Sequence, residues 1–240
     1  AGKSGRTAKP NAKSDTAGGA SAGDWPQWRG PDRDAVSKDT GLLKQWPQDG
    51  PPLVWTASEM GGGYGSVAVT GGRIYVTGDR SGGQNVTCVN ASDGKIIWST
   101  PIGKPADGAR STPTVDGDLL FALSSRGNQD AEIVCLETAT GNEKWRKNFR
   151  SDFNGRMMSN WGYSESPLLY KDWVIVTPGG NQGTIAALDK ITGSVIWRST
   201  EVVEGAHYAS PQVVTLGGVR QIVQFARSSV FGIDADTGSP

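Results

Sequence analysis

From Leu53 onward, short alternating apolar runs are separated by turns rich in Gly, Asn and Asp, a texture of β-strands and hairpins. Ser66, Thr112, Ser166 and Ser210 recur at intervals of 46, 54 and 44 residues, and each introduces a short strand (VAV, PTV, PLL and PQVV). A second apolar run follows in every copy: RIYVT, LLFAL, WVIVT and QIVQF. Next comes a hairpin, CVNASDGKIIW ending at Trp98, CLETATGNEKW ending at Trp145 and ALDKITGSVIW ending at Trp197, with GIDADTGSP as a fourth, shorter copy. Gly94, Gly141, Gly193 and Gly238 close these turns, where glycine supplies the positive φ. About four short strands in a repeat of roughly 45 residues make one blade of a β-propeller, and the columns predict an all-β chain of about four blades.

The segment before the repeats differs in kind. Residues 1–23 hold only small, polar and charged side chains and read as a disordered polar linker, because nothing in them repays the entropy of ordering. Residues 24–52 bring in Trp, Pro and Leu anchors (DWPQWRGPDRDAV, then TGLLKQWPQDGPP) and read as an ordered N-terminal strap. The propeller repeats are assigned to 53–240, ending inside a hairpin, which predicts a truncated propeller.

Composition narrows the function classes. With 34 Gly, 13 Pro and 9 Trp in 240 residues, helices should be scarce. Lys plus Arg and Asp plus Glu are equal at 24 each, so no global field steers the chain to nucleic acid. No apolar run is long enough to span a membrane. Cys88 and Cys135 fall in the column occupied by Ala187 and Gly232, a small packed position. Buried thiols are expected there rather than a disulfide, since equivalent sites on neighbouring blades exceed the roughly 4.4 to 6.8 Å that a bridge needs.

The docking hairpins resemble the Ala-x-Asp-x-x-Thr-Gly-x-x-x-Trp repeat of quinoprotein-type (PQQ-like repeat) β-propellers. Ala187, Asp189, Thr192, Gly193 and Trp197 match it completely, the Trp145 copy keeps Thr140 and Gly141, and the Trp98 copy keeps Gly94. In that family the Trp wedges between blades while Asp, Thr and Gly shape the turn. DWPQWRGPDRDAVS, NWGYSESPLL and GGVRQIVQF are similar to uncharacterised propeller proteins of planctomycete-like bacteria and to the propeller lipoprotein of the Bam complex. The resemblance implies seven or eight blades in a complete ring, a periplasmic or secreted location, protein partners, and a lipid anchor upstream.

Candidate chemistry belongs to the loops that feed each innermost strand, residues 56–65, 100–111, 149–165 and 200–209. They carry Tyr64, Arg110, Asn160, Trp161, Tyr163, Glu165 and Tyr208 as channel-mouth candidates, with Glu165 and His207 as the catalytic ones. A quinoprotein dehydrogenase would use Glu165 as calcium ligand or base, Arg110 as anion partner and Trp161 as a platform for pyrroloquinoline quinone (PQQ). The vicinal Cys pair of many quinoprotein alcohol dehydrogenases is absent. His207 is the sole histidine, which excludes a multi-histidine metal site, and no metal-ligand set is nominated. Gly162-Tyr163-Ser164-Glu165-Ser166 lacks the second glycine of a Gly-x-Ser-x-Gly hydrolase elbow, and Gly61 to Ser66 lacks the Lys of a phosphate loop. The expected function is therefore a non-enzymatic extracytoplasmic scaffold for protein interaction or assembly. The alternatives are a PQQ-dependent dehydrogenase with calcium, and glycan or small-ligand binding through Tyr64, Trp161, Tyr163 and Tyr208.

Overall fold

The computed structural model of the chain describes residues 23–80, 82–105, 108–125 and 129–240, so all but the last residue of the polar linker lies outside the described residues. The first blade comprises β1 (Ala68–Thr70), β2 (Arg73–Arg80), β3 (Gly83–Asn90) and β4 (Ile96–Gly103). β5 (Thr114–Asp116), β6 (Leu119–Ser125), β7 (Ala131–Glu137) and β8 (Glu143–Asn148) form the second. A single helical turn, α1 (Phe149–Phe153), precedes the third, β9 (Leu168–Tyr170), β10 (Trp173–Val176), β11 (Ala186–Asp189) and β12 (Val195–Arg198). The fourth has three strands, β13 (Gln212–Leu216), β14 (Val219–Phe225) and β15 (Val230–Asp234). Each sheet is an antiparallel meander in chain order, the architecture of propeller blades.

Period-two alternation divides the side chains of each blade between its two neighbours. In the second blade, Leu120, Ala122, Val134 and Leu136 pack with Tyr75, Val86 and Cys88 of the first. The intervening Leu119, Phe121, Leu123, Ile133 and Cys135 pack with Leu169, Val174 and Val176 of the third. Leu168, Tyr170, Ile175 and Ala187 of the third meet Ile222 and Ile233 of the fourth. Both faces of the second blade are thus buried, which explains why β6 is buried along its whole length and apolar from Leu119 to Leu123.

The docking column joins these layers. Each Trp lies on the turn glycine of the following blade: Trp55 on Gly94, Trp98 on Gly141, Trp145 on Gly193 and Trp197 on Gly238. A Cβ at Gly193 would come within 2.7 Å of the Trp145 ring, and its φ of +71° is itself costly for other residues, so packing and backbone both select glycine. The indole N–H of Trp55, Trp98 and Trp145 donates to the carbonyls of Ala91, Thr138 and Lys190, each at 3.0 Å. The turns are built locally. Asp189 accepts from the Thr192 amide at 2.8 Å and its hydroxyl at 2.9 Å, which holds the Asp189 carboxyl below its usual range. Immediately outside the Cys88–Trp98, Cys135–Trp145 and Ala187–Trp197 pairs the register slips, the same bulge in three blades.

Trp55, ahead of the first blade and outside the three hairpins read from the sequence, docks as the others do. The serine and threonine column has an equally defined use. The Ser66 amide donates to the Thr112 hydroxyl at 3.0 Å, Thr112 to Ser166 at 3.0 Å, and Ser166 to Ser210 at 2.9 Å. A ladder of side-chain hydroxyls therefore ties the inner ends of all four blades. Cys88 and Cys135 are free, buried thiols, and burial pushes them up to about 11 and about 12.

Trp145 is 9% exposed and Trp161 is 65% exposed, which sets up a matched comparison. Trp145→Ala is expected to cost about 3 to 5 kcal/mol in urea unfolding, whereas Trp161→Ala should stay within about 0.5 kcal/mol of the parent. Equal losses would show that Trp145 is not docked.

Candidate functional site

The inner edges of the blades are free for pairing on one side, and the strap takes that side. Trp25 and Val69 exchange main-chain hydrogen bonds at 2.6 and 2.9 Å, and the Val115 amide donates to Pro26 O at 2.8 Å. Further along, Arg33 donates to Pro167 O at 3.0 Å and Ser166 O at 3.1 Å, while its own carbonyl accepts from Gln212 at 3.3 Å. Residues 25–33 thereby cross the first, second, third and fourth blades in order. Tight turns shape the crossing: Arg29, Arg33 and Ala35 all adopt positive φ, a conformation that costs a non-glycine residue on the order of 1 kcal/mol or more.

Arg33 is the polar centre of this arrangement. It is 3% exposed, also donates to Gln27 Oε1 at 3.0 Å, and stacks over Trp28 at 5.2 Å. Burial lowers its pKa to about 9, opposed by the nearby Glu165. Glu165 is 1% exposed; one carboxylate oxygen accepts the Thr177 amide at 2.7 Å and the other has no hydrogen-bond partner among the described residues. Desolvation pushes Glu165 up to about 7, with the Thr177 hydrogen bond and Arg33 acting in the opposite sense. Neither Arg33 nor Gln27 was nominated from the sequence, because an arginine between two aspartates reads as solvent-facing until the carbonyls it meets, more than a hundred residues on, are known.

The remaining candidates fall into two groups at the mouth and one residue beneath it. Tyr64 is 76% exposed at the junction of the first two blades, with the Arg110 guanidinium 5.7 Å from its ring centre. At the junction of the third and fourth blades, Ser159 bonds the Tyr208 hydroxyl at 2.5 Å and accepts the Trp161 amide at 3.1 Å. Asn160 there accepts from Gln129 at 2.9 Å, and the His207 ring packs on Tyr208 and Phe225. Tyr163 is core: it is 3% exposed, donates to Pro178 O at 2.8 Å, and meets Phe149 edge-on at 5.1 Å.

A quinone held with calcium would place a definite demand on these residues. Hard cations need several carboxylate or amide oxygens converging on one point. Among the described residues no group of three or more His, Cys, Asp or Glu side chains is placed to hold a metal ion. Glu165, the nominated ligand, is enclosed beside an arginine and bonded to the Thr177 amide. Trp161, the nominated platform, lies at the exposed mouth. Among the described residues, then, no converging carboxylate set accompanies the nominated Glu165.

The enclosed Glu165 has a measurable consequence. With a folded pKa of about 7 against an ordinary 4.5, the folded chain binds more protons than the unfolded one between those values, so this group's contribution falls as pH rises through that window. Glu165→Gln keeps an acceptor for Thr177. It should therefore gain stability relative to the parent between pH 4.5 and 7.5 by on the order of 2 to 3 kcal/mol in urea unfolding. A difference independent of pH would contradict the burial of an ionisable carboxyl there.

Comparison with known proteins agrees with the fold. The family model described as outer membrane protein assembly factor BamB matches residues 44–129 and 124–240. The outer membrane protein assembly factor BamB of Shewanella oneidensis is 28% identical over 189 residues, 63% of this chain and 45% of that protein. The chain thus spans less than half the length of that curated relative. Among solved structures, quinohemoprotein alcohol dehydrogenase from Comamonas testosteroni aligns with a TM-score of 0.63 at 15% identity, over 90% of this chain and 40% of that one. Quinohemoprotein alcohol dehydrogenase ADHIIG from Pseudomonas putida HK5 gives 0.53 at 16% identity, over 78% of this chain and 35% of that one. BamB from Moraxella catarrhalis gives 0.52 at 14% identity, over 78% of this chain and 53% of that one. At these identities the structural likeness is one of fold, shared by enzymes and an assembly factor alike. With the family model covering nearly every blade, the chain belongs to the family of outer membrane protein assembly factor BamB.

Proposed function

We propose that this chain is the non-enzymatic, extracytoplasmic part of a protein-interaction or assembly scaffold, acting in the periplasm. The observation that carries this reading is the strap. It lines the inner edges of the blades, with the Arg33 guanidinium bonded to Gln27, Ser166 and Pro167. The polar groups best able to do chemistry are thus committed inside the protein, while its exposed aromatic and charged groups ring the mouth of a rigid frame. Rigid elements that present exposed Trp, Tyr and Arg suit partner recognition. Family membership supports the same reading, and a lipid anchor on a preceding segment would hold such a scaffold at a membrane surface. Glycan recognition finds less support, since Tyr163 is enclosed in the core and Tyr208 is tied to Ser159.

A photo-crosslinking residue placed at Tyr64 or Trp161 of the full-length protein in cells should give discrete adducts with an envelope protein. The same residue at Ile191, exposed on the β11–β12 turn at the opposite end of the blades, should give none. Adducts at Ile191 alone, or at none of the three positions, would contradict the reading.

A further inference from the structure

Around the third blade the mouth loops border an open cavity of about 520 Å³, lined from Gln129 on one side to Arg227 on the other. Its walls are laced by main-chain bonds: Arg156 N to Pro178 O at 3.0 Å, Ala206 N to Arg156 O at 2.8 Å, and Gly180 N to Glu204 O at 2.7 Å. Gly155 permits this close approach, since a Cβ there would stand 2.6 Å from Phe149 O and 2.9 Å from Pro178 O. The cavity is therefore part of a fixed framework rather than a gap between independent loops.

Its charge is one-sided. Arg150, Arg156 and Arg227 line it against a single carboxylate, Glu204, which accepts from the Ser228 amide and the Ser229 hydroxyl. Elsewhere among the described residues arginines engage a carbonyl, a carboxylate or a ring. Arg33 and Arg73 reach carbonyls, Arg146 and Arg80 reach Glu132 and Glu59, and Arg110 covers Tyr64. The side chains of Arg150, Arg156 and Arg227 make no hydrogen bond or ion pair among the described residues. Three exposed arginines, each able to hold a carboxylate through two parallel hydrogen bonds, thus line one concavity with no hydrogen-bond or ion-pair partner among the described residues.

We propose that this cavity is the docking site for an acidic segment of a protein partner, an extended run of Asp and Glu. The inference deepens the scaffold reading and rests on it. The three arginines stand on two segments, Arg150 and Arg156 on the connection that leads into β9 and Arg227 on the β14–β15 loop, so filling them calls for several carboxylates in succession rather than one small anion. Asn154 and Asn181, hydrogen-bonded to each other at 2.8 Å on the same rim, offer amide groups suited to a peptide main chain. Such a contact quickens encounter and selects the partner by charge.

The test is fluorescence anisotropy of a fluorescein-labelled octapeptide of alternating Glu and Asp against the full-length protein, with the Gln and Asn isostere as control. The acidic peptide should bind and the isostere should not, and Arg156→Glu with Arg227→Glu should weaken binding at least about tenfold. Arg156→Lys with Arg227→Lys should retain much of it, and raised salt should weaken it. Equal binding of the isostere, or a double Glu variant that binds like the parent, would overturn the proposal. So would citrate displacing the peptide at equimolar concentration, which would mark a site for small polycarboxylates. Crosslinks at Tyr64 that persist when the acidic peptide fails to bind would reject this cavity and leave the scaffold standing; loss of every mouth adduct would reject the scaffold itself.

Discussion

An indole resting on a bare glycine joins each blade to the next, and the rest of the molecule depends on that contact. A propeller blade is a small twisted sheet that cannot bury both apolar faces alone, so its stability resides in the interfaces. Trp98 on Gly141 and Trp145 on Gly193 set the spacing of those interfaces at their outer side, each with an indole hydrogen bond to a carbonyl three residues before the glycine. At the inner side, the hydroxyl ladder from Ser66 to Ser210 sets it again. Fixed at both ends, neighbouring blades leave little freedom for the loops at the mouth, and the functional surface inherits that rigidity.

The strap adds a second constraint, of long range. By crossing four blades in sequence, residues 25–33 tie the first blade to the fourth, with Arg33 reaching residues more than a hundred positions away. Burying a guanidinium beside a carboxyl is expensive unless every fork is satisfied. The carbonyls of Ser166 and Pro167 and the amide oxygen of Gln27 supply most of that satisfaction. Positive φ at Arg29, Arg33 and Ala35 is local strain offset by these contacts.

Local chemistry made much of the fold legible. Period two, turn glycines and the Trp column depend on neighbours within a dozen residues, so blades and hairpins could be read directly, and Cys88 and Cys135 could be assigned to a small packed column. The site was legible only in part. Nothing within ten residues of Glu165 announces that its environment is completed by Arg33 from the strap, or that Tyr163 turns inward to Pro178 while Trp161, two residues earlier, stays outside. Trp55 was obscured for a related reason: its docking partner Gly94 lies in the blade that follows, and among the described residues no strand precedes β1 to mark a hairpin around Trp55. Arg227 joins Arg150 and Arg156 from a loop some seventy residues further on, between β14 and β15, a pattern that pairwise spacing does not reveal.

Fold likeness to quinohemoprotein dehydrogenases and family membership with an assembly factor lead to opposite expectations for one ligand. Isothermal titration of the full-length protein with PQQ, with and without calcium, separates them directly. A scaffold whose inner edges are covered by its own strap gives no saturable heat in either case; calcium-dependent saturation at a single site would contradict it.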